Sequence, residues 1–304
     1  MCPRAPEIHA SIGVSCLKIS YRSLTILAIY LATSIVTPTE AKPKHIVSIN
    51  LCTDQLLMLL VSRERIASVS FLAADRNATP MYKEAIGLLQ NHGRAEEILL
   101  MKPDLVLAGT YTTRPTVFLL KRLGFNLMEL PSASSIEDIR RNIRLVAAAV
   151  GEPQRGEQLI DAFDQRLAAA ASANQAGPVA VYYWENGLTS GKNTLSGAVL
   201  EAAGLTNLAA KLGIFGIGYV PLEVLITHQP DIVVMHRRPK RKFSVASGTF
   251  QHPAFSSAIA NRFIVRIHDE LLSCGTPFIV EAIDQLASTR RQWQLRKTSN
   301  VQIR

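Results

Sequence analysis

The sequence predicts an α/β protein built as two doubly wound, Rossmann-like lobes that are joined by one long helix. Three observations predict this arrangement: short apolar runs alternate with amphipathic segments, one motif occurs twice, and a long segment of helical periodicity separates the halves. Continuous apolar runs are typical of parallel strands that are covered on both faces. Their alternation with helices indicates doubly wound parallel sheets.

Length and composition are compatible with two lobes and give no sign of nucleic-acid binding. The chain has 304 residues, of which 48% are hydrophobic and 19% are charged, with a formal net charge of +9. The basic residues are mostly dispersed, and no zinc-finger, homeodomain or RNP-type motif accompanies them, so we expect no nucleic-acid partner. No Cys/His spacing typical of a structural metal site occurs either, so we expect no metal site.

The first 41 residues predict a signal peptide. Lys18 and Arg22 form a positive region, Leu24 to Val36 is an apolar run, and Thr39-Glu40-Ala41 offers small residues at the positions that a signal peptidase reads. The apolar run is shorter than the about 20 residues that span a bilayer. We therefore expect export and cleavage of residues 1–41.

A motif of a short helix, a Pro-Asp pair and an apolar strand occurs twice. Glu96 to Val106 resembles Glu223 to Val233, and the strands are expected at Leu105–Ala108 and Ile232–Met235. Proline ends the helix in both copies and favours extended backbone in the residue before it. Two copies separated by about one lobe predict two lobes of like architecture, at 42–150 and 176–292.

The remaining elements fit this division. The first half is predicted to contain strands at His45–Ile49, Ile66–Ser70 and Asn126–Leu130, and helices at Thr53–Val61 (capped by the Thr53 hydroxyl), Arg114–Leu123 and Ser135–Val150. The second half is predicted to contain strands at Pro178–Trp184 and Arg262–His268, and helices at Leu195–Ala203 and Pro277–Arg290. Helical periodicity over Glu152–Ala173 predicts a rigid interlobe helix within 151–175, the alternative being a surface helix of a single sheet. Residues 293–304 are predicted to form a basic tail.

From His45 to Arg290 the chain resembles the helical-backbone periplasmic binding proteins that serve ABC importers of ferric siderophores, haem and cobalamin. Three features carry the resemblance: the opening Ile46-Val47-Ser48-Ile49-Asn50-Leu51-Cys52-Thr53-Asp54-Gln55-Leu56, the repeated Pro-Asp motif, and the closing Leu272-Ser273-Cys274-Gly275-Thr276-Pro277. The resemblance implies a periplasmic, monomeric solute-binding protein without cofactor or catalysis, with its ligand cleft between the two lobes. It would capture an iron chelate, haem or a corrinoid and deliver it to an ABC permease and its ATPase.

The resemblance also implies site residues. The family docks on its permease through one glutamate on each lobe, and the matching positions here are Glu96 and Glu223; the alternative is that both only favour the helix dipole. Ligand-binding candidates are the residues just past strand ends, where open α/β sheets bind their ligands. They are Asn50, Cys52, Phe71, Tyr111 and Arg114 in the first half, and Tyr183, Trp184, Tyr219, His236, Arg237 and Cys274 in the second.

These candidates suit different parts of a chelate. Trp184 and Tyr111 can stack on a corrin, porphyrin or catechol face. Arg114 and Arg237 can pair with a negatively charged complex, and His236 or His268 can ligate haem iron or cobalt through a neutral imidazole. The alternative for each is ordinary packing or a solvated surface position.

Two questions remain open from the sequence. After loss of residues 1–41, Cys52 and Cys274 remain, and export with an even count favours a disulfide. The resemblance places both on cleft-facing loops of opposite lobes, where a bond would clamp the cleft, so two small buried thiols are the alternative. The second question is function: the alternative is a secreted α/β enzyme of unknown reaction, although no nucleophile elbow or His-Glu-x-x-His motif occurs.

Overall fold

The computed structural model describes residues 42–170, 177–237 and 245–302. The predicted signal peptide and the end of the predicted interlobe segment, 171–175, lie outside the described residues. Within the described part of the chain, no helix has both the length and the apolar character needed to cross a membrane.

Strands and helices alternate along the chain. The strands are β1 (Ile46–Ser48), β2 (Ile66–Ser70), β3 (Gln90–Asn91), β4 (Leu105–Gly109), β5 (Leu127–Leu130), β6 (Val179–Tyr182), β7 (Leu188–Ser190), β8 (Thr206–Asn207), β9 (Ile217–Tyr219), β10 (Ile232–His236) and β11 (Phe263–Ile267). The α-helices are α1 (Leu51–Leu60), α2 (Ala95–Met101), α3 (Arg114–Arg122), α4 (Ile136–Ala149), α5 (Pro153–Ala170), α6 (Leu195–Ala202), α7 (Leu208–Lys211), α8 (Leu222–His228), α9 (Pro253–Ile259) and α10 (Ile279–Gln302).

The strands form two separate parallel sheets and one two-stranded antiparallel sheet. The first sheet has the order β3-β2-β1-β4-β5, the second has the order β11-β10-β6-β8, and β7 pairs with β9. The two orders correspond if β6, β8, β10 and β11 are the counterparts of β1, β2, β4 and β5. In each sheet, the direction in which successive strands are added reverses once, between β1 and β4 in the first sheet and between β6 and β10 in the second. We call these two places the first and second switch points. Open α/β sheets bind ligands at such points. The predicted fold class is confirmed.

The repeated motif forms the same structure in both halves. Helices α2 and α8 have seven residues each and end at a left-handed residue, Lys102 (φ 47°) and Gln229 (φ 45°). Proline follows each of these residues, and the apolar strand begins directly after the aspartate. The sequence repeat therefore reflects a real structural repeat.

The aspartate of each motif ties neighbouring strands together. The Asp104 carboxylate accepts hydrogen bonds from the N–H groups of Lys44 (2.7 Å) and His45 (2.9 Å) at the start of β1. The Asp231 carboxylate accepts one from the N–H of Val179 (2.9 Å) at the start of β6. Since β1 and β6 are equivalent strands, both motifs fix the same strand pair at the amino ends of their sheets.

Helix α5 connects the halves and packs against both. Its 18 residues span about 27 Å. Ile160 and Phe163 on this helix belong to one hydrophobic cluster that also contains Ile143 of α4 and Ile283 of α10. The lobes therefore share a continuous core around the connecting helix, which resists wide separation.

Two details differ from the sequence prediction. Helix α1 is capped by Asn50, whose side chain accepts a hydrogen bond from the N–H of Cys52 (3.0 Å), whereas Thr53 lies inside the helix and donates to the Asn50 carbonyl (2.9 Å). The predicted cap at Thr53 is wrong because the helix starts one residue after Asn50. Helix α10 has 24 residues, so positions 293–302 of the predicted basic tail are its last turns.

Candidate functional site

A cavity of about 260 Å³ lies at the switch point of the first sheet. Asn50 follows β1, while Thr110 and Tyr111 follow β4, and these residues line the cavity together with the segment after β5. Residues of the second half, Leu195 and the Leu272–Gly275 segment, line its other side. The cavity is therefore enclosed by both halves, at the position that the strand order predicts.

Asn50 can occupy the cavity wall because residue 109 is glycine. An added Cβ at Gly109 would lie 2.8 Å from Cγ of Asn50, which is closer than packed atoms approach. Tyr111 lies at the same strand end with 87% of its surface exposed. The first switch point thus combines a fixed amide and an open phenol ring.

A buried carboxylate supports this side of the site. Asp54 on α1 is fully buried and accepts hydrogen bonds from the N–H and the hydroxyl of Ser70 at the end of β2. Burial raises the pKa of Asp54 to about 7, although hydrogen bonds from Ser48 and Ser70 act in the opposite direction. Asp54 therefore joins the first turn of α1 to the strand end that precedes Phe71.

The switch point of the second sheet carries an aromatic pair. Trp184 follows β6 and His236 ends β10, and their rings stack with centroids 4.7 Å apart and planes inclined by 26°. The Nδ1 atom of His236 contacts the carboxylate of Asp269. A carboxylate on one ring nitrogen fixes the orientation of the imidazole, as it does in metal-binding histidines.

Cys52 and Cys274 form a disulfide, which settles the question that the sequence left open. The bond joins the first turn of α1 to the segment before α10. Beside it, the Thr276 hydroxyl bonds to Oε1 of Gln55 at 2.7 Å in the buried interior. The segment around Cys274 is therefore attached to the first half, although it follows a strand of the second sheet.

The structure brings some of the predicted site residues together and disperses others. Asn50, Cys52 and Tyr111 line the cavity, with Cys274 bonded to its edge, while Trp184 and His236 form the pair on the second sheet. The others lie apart: Phe71 stacks on His92, Arg114 forms an ion pair with Glu129, Tyr219 is 66% exposed at the end of β9, and Arg237 is exposed after β10.

Tyr183 requires a correction. Its side chain is 1% exposed and packs against Phe255 in the core of the second half. The N–H of Tyr183 donates to the carbonyl of Val234 (2.9 Å), so the strand ladder continues through this residue. Side chains alternate along a strand, and this alternation directs Tyr183 away from Trp184 and into the core.

Sequence reasoning missed Ser132 and Asn142, which line the cavity, and Asp269, which contacts His236. Ser132 and Asp269 follow the ends of β5 and β11, so the rule that selected the other candidates would have found them. Asn142 lies within α4, where no local signal distinguishes it from a surface polar residue. Its position became visible only with the packing of α4 against the strand ends.

The two predicted docking glutamates occupy equivalent positions. Glu96 and Glu223 are each the second residue of their seven-residue helix, and both are exposed. Among the described residues, no group of three or more His, Cys, Asp or Glu side chains is arranged to hold a metal ion.

Comparison with known proteins identifies the family. The sequence model described as "Periplasmic binding protein" matches residues 46–271. The chain belongs to the periplasmic binding protein family. Among relatives of this periplasmic binding protein, a cobalamin-binding protein of Halobacterium salinarum is 25% identical over 258 residues, or 82% of this chain and 70% of that protein.

Solved structures share the two-lobed architecture. The periplasmic haem-binding protein RhuT from Roseiflexus sp. RS-1, in apo form, is 25% identical with a TM-score of 0.68, covering 82% of this chain and 98% of RhuT. The periplasmic vitamin B12-binding protein BtuF of Vibrio cholerae is 20% identical with a TM-score of 0.61, covering 83% of this chain and 98% of BtuF. At 20% identity, the likeness to BtuF is evidence of the fold alone.

Proposed function

We propose that this periplasmic binding protein is the solute-binding component of an ABC importer. It captures an iron complex, haem or cobalamin in the periplasm and delivers it unchanged to a membrane permease and its ATPase. The observation that carries the proposal is the cavity at the first switch point, which is enclosed by residues of both halves. Relatives that bind haem and cobalamin support the ligand class.

The size of the cavity indicates which part of a chelate it receives. Its volume of about 260 Å³ is below the about 300–1,000 Å³ of typical small-molecule sites. We infer that the cavity holds one arm of a larger ligand. The remainder then lies along the cleft toward the second switch point, where the stacked rings of Trp184 and His236 offer a planar contact.

His236 is our candidate for a direct contact to the metal of the chelate. Its Nδ1 atom is held by Asp269, so Nε2 is the ring nitrogen left to serve as a ligand to iron or cobalt. His236→Ala is expected to weaken binding of the chelate and to change its absorption spectrum, whereas Leu295→Ala on α10 serves as the exposed control.

A ligand screen tests the proposed function. Cobalamin, haemin and several ferric siderophores are added to the purified protein, and thermal unfolding is followed with Trp fluorescence. A ligand at 100 times its dissociation constant adds about 2.7 kcal/mol of stability, and it should be recovered unchanged. Chemical turnover of the ligand, or no response to any chelate, would contradict the proposal; turnover would favour the enzyme alternative.

The glutamates provide a separate test of delivery. Glu96→Lys together with Glu223→Lys is expected to reduce uptake through the cognate importer at least about tenfold, because charge pairs govern encounter and register between partners. Ligand affinity should stay unchanged. The matched control is Glu84→Lys with Glu201→Lys, which reverses two other exposed glutamates. Equal loss of uptake in the control, or lost ligand binding in the first variant, would refute docking at these positions.

A further inference from the structure

Among the described residues, the wall of the cavity at the first switch point carries no charged side chain, and several of its polar atoms are hydrogen-bond acceptors. None of its lining residues in the described part of the chain carries a carboxylate, an amine, a guanidinium or an imidazole, since it is lined by Asn, Ser, Thr, Tyr and small or apolar residues with the disulfide-bonded Cys52. The hydroxyl of Thr110 donates to the carbonyl of Leu130 (3.2 Å), and that of Ser273 donates to the carbonyl of Asp269 (2.8 Å). Both hydroxyl hydrogens are thus committed, and both oxygens keep acceptor capacity.

Asn142 adds an acceptor that lacks a partner. The residue is 2% exposed, and its Nδ2 atom donates to the carbonyl of Pro131 (2.8 Å). A carbonyl can only accept a hydrogen bond, so the side-chain atom that faces Pro131 must be the amide nitrogen, and the other atom is Oδ1. Oδ1 of Asn142 is buried and has no hydrogen-bond partner among the described residues. A buried acceptor without a partner costs about 1–3 kcal/mol, which a donor on a bound ligand would recover.

We propose that this cavity selects a ligand arm that ends in an uncharged hydrogen-bond donor, a primary amide or a hydroxyl, and rejects a carboxylate. An amide N–H or a hydroxyl donates to Asn142 and to the oxygens beside it. A carboxylate has only acceptors when ionised, so it leaves Oδ1 of Asn142 without a donor, and it meets no cation among the described residues of the cavity wall. The inference rests on the proposed function, and it favours chelates with primary amides, such as corrinoids, over carboxylate-bearing ones, such as haem and ferric citrate.

The test compares ligands that differ in one arm. Cyanocobalamin, which carries side-chain amides, is titrated against a derivative in which one amide is hydrolysed to the acid; the diamide of haemin and haemin itself, with its two propionates, form a second pair. We expect the carboxylate member of each pair to bind at least about tenfold more weakly, equivalent to about 1.4 kcal/mol. Equal affinities within both pairs would overturn the inference while leaving the proposed function intact. No binding of any chelate would instead overturn the function.

Variants of the wall sharpen the test. Ser132 is exposed and lines the cavity, so Ser132→Lys adds a cation there with little effect on folding. This variant should raise the affinity for the carboxylate ligands at least about tenfold, whereas the matched Ser132→Met should not. Asn142→Leu should weaken the amide ligands by about tenfold. If Ser132→Lys leaves the order of affinities unchanged while the protein remains folded, the assignment of specificity to this cavity is wrong.

Discussion

The two halves of the molecule share a topology but carry different chemistry at equivalent places. At the first switch point, amides and hydroxyls line a cavity, and the adjoining helix α1 carries a buried acid, Asp54. At the second, a tryptophan stacks on a histidine that contacts a carboxylate. The comparison teaches that the strand order fixes where a ligand is met, while the residues after each strand decide what is recognised.

The disulfide is the feature of this comparison with the largest expected effect. Cys52 and Cys274 are separated by 222 residues. Closing so long a loop lowers the entropy of the unfolded chain, which stabilises the folded state by about 5 kcal/mol. Cys52→Ser with Cys274→Ser should lower the free energy of unfolding by that order, measured by urea denaturation. Ser256→Ala with Ser257→Ala, which changes two exposed hydroxyls on α9, is the matched control and should have little effect. An unchanged midpoint in the first variant would show that the bond does not hold the halves together.

The second-largest expected effect is the pH dependence of stability that Asp54, in the first half, causes. Burial raises its pKa from 3.8 to about 7, so folding favours the protonated form. The protonated Asp54 therefore contributes its full stability below pH 4. As the pH rises toward 7 the contribution is lost, and the free energy of unfolding falls by on the order of 4 kcal/mol. Asp54→Asn should therefore flatten the fall in stability between pH 4 and 7, as followed by urea midpoints at each pH.

Asp138 in the same half is the control of opposite sign. The N–H of Ser134 donates to its carboxylate and lowers the pKa of Asp138 to about 2. Its stabilising contribution is present above pH 4 and is lost as the pH falls toward 2. Asp138→Asn should thus destabilise at pH 7 and have little effect at pH 2. The same pH profile for both variants would contradict the assignment of Asp54 as the buried acid.

The smallest expected effect is a difference in stability between variants of the two Pro-Asp motifs. Asp231 accepts from the N–H of Val179 and also from Nε1 of Trp293 (3.1 Å) on α10, whereas Asp104 is exposed and accepts from two backbone N–H groups. We expect Asp231→Ala to cost about 2 kcal/mol and Asp104→Ala about 1 kcal/mol. Thermal unfolding of both variants measures the difference, and a larger cost at Asp104 would contradict the comparison.

Much of the fold was predictable because it depends on local patterns. Pro103 and Pro230 ended helices and introduced strands, and the glycines at 124 and 151 have positive φ after α3 and α4. The misses have physical reasons. Asn50 and Thr53 are both good capping residues, and only the end of β1 decides between them. Tyr183 was wrongly predicted to be a site residue. The hydrogen-bonded ladder of β6 continues through it, so its side chain keeps the alternation of the strand and lies in the core.

The site was less predictable than the fold because its parts are distant in sequence. The disulfide depends on how the segment around Cys274 returns to the first half, which no spacing rule reveals. Asn142 contributes through the packing of a helix interior against the strand ends. Residues directly after strands, such as Asn50, Tyr111 and Trp184, were accessible to sequence reasoning because parallel sheets place their carboxyl ends together.

Affinity measurements on variants from both halves test the central claim, that one ligand is held between the two switch points. The chelate with the highest affinity in the screen is titrated into Tyr111→Ala, His236→Ala and the exposed control Leu295→Ala, with Trp fluorescence as the readout. We predict one ligand per chain, a loss of at least about tenfold in affinity for each of the first two variants, and no change for the control. A loss confined to one half, with the other variant at wild-type affinity, would contradict the account.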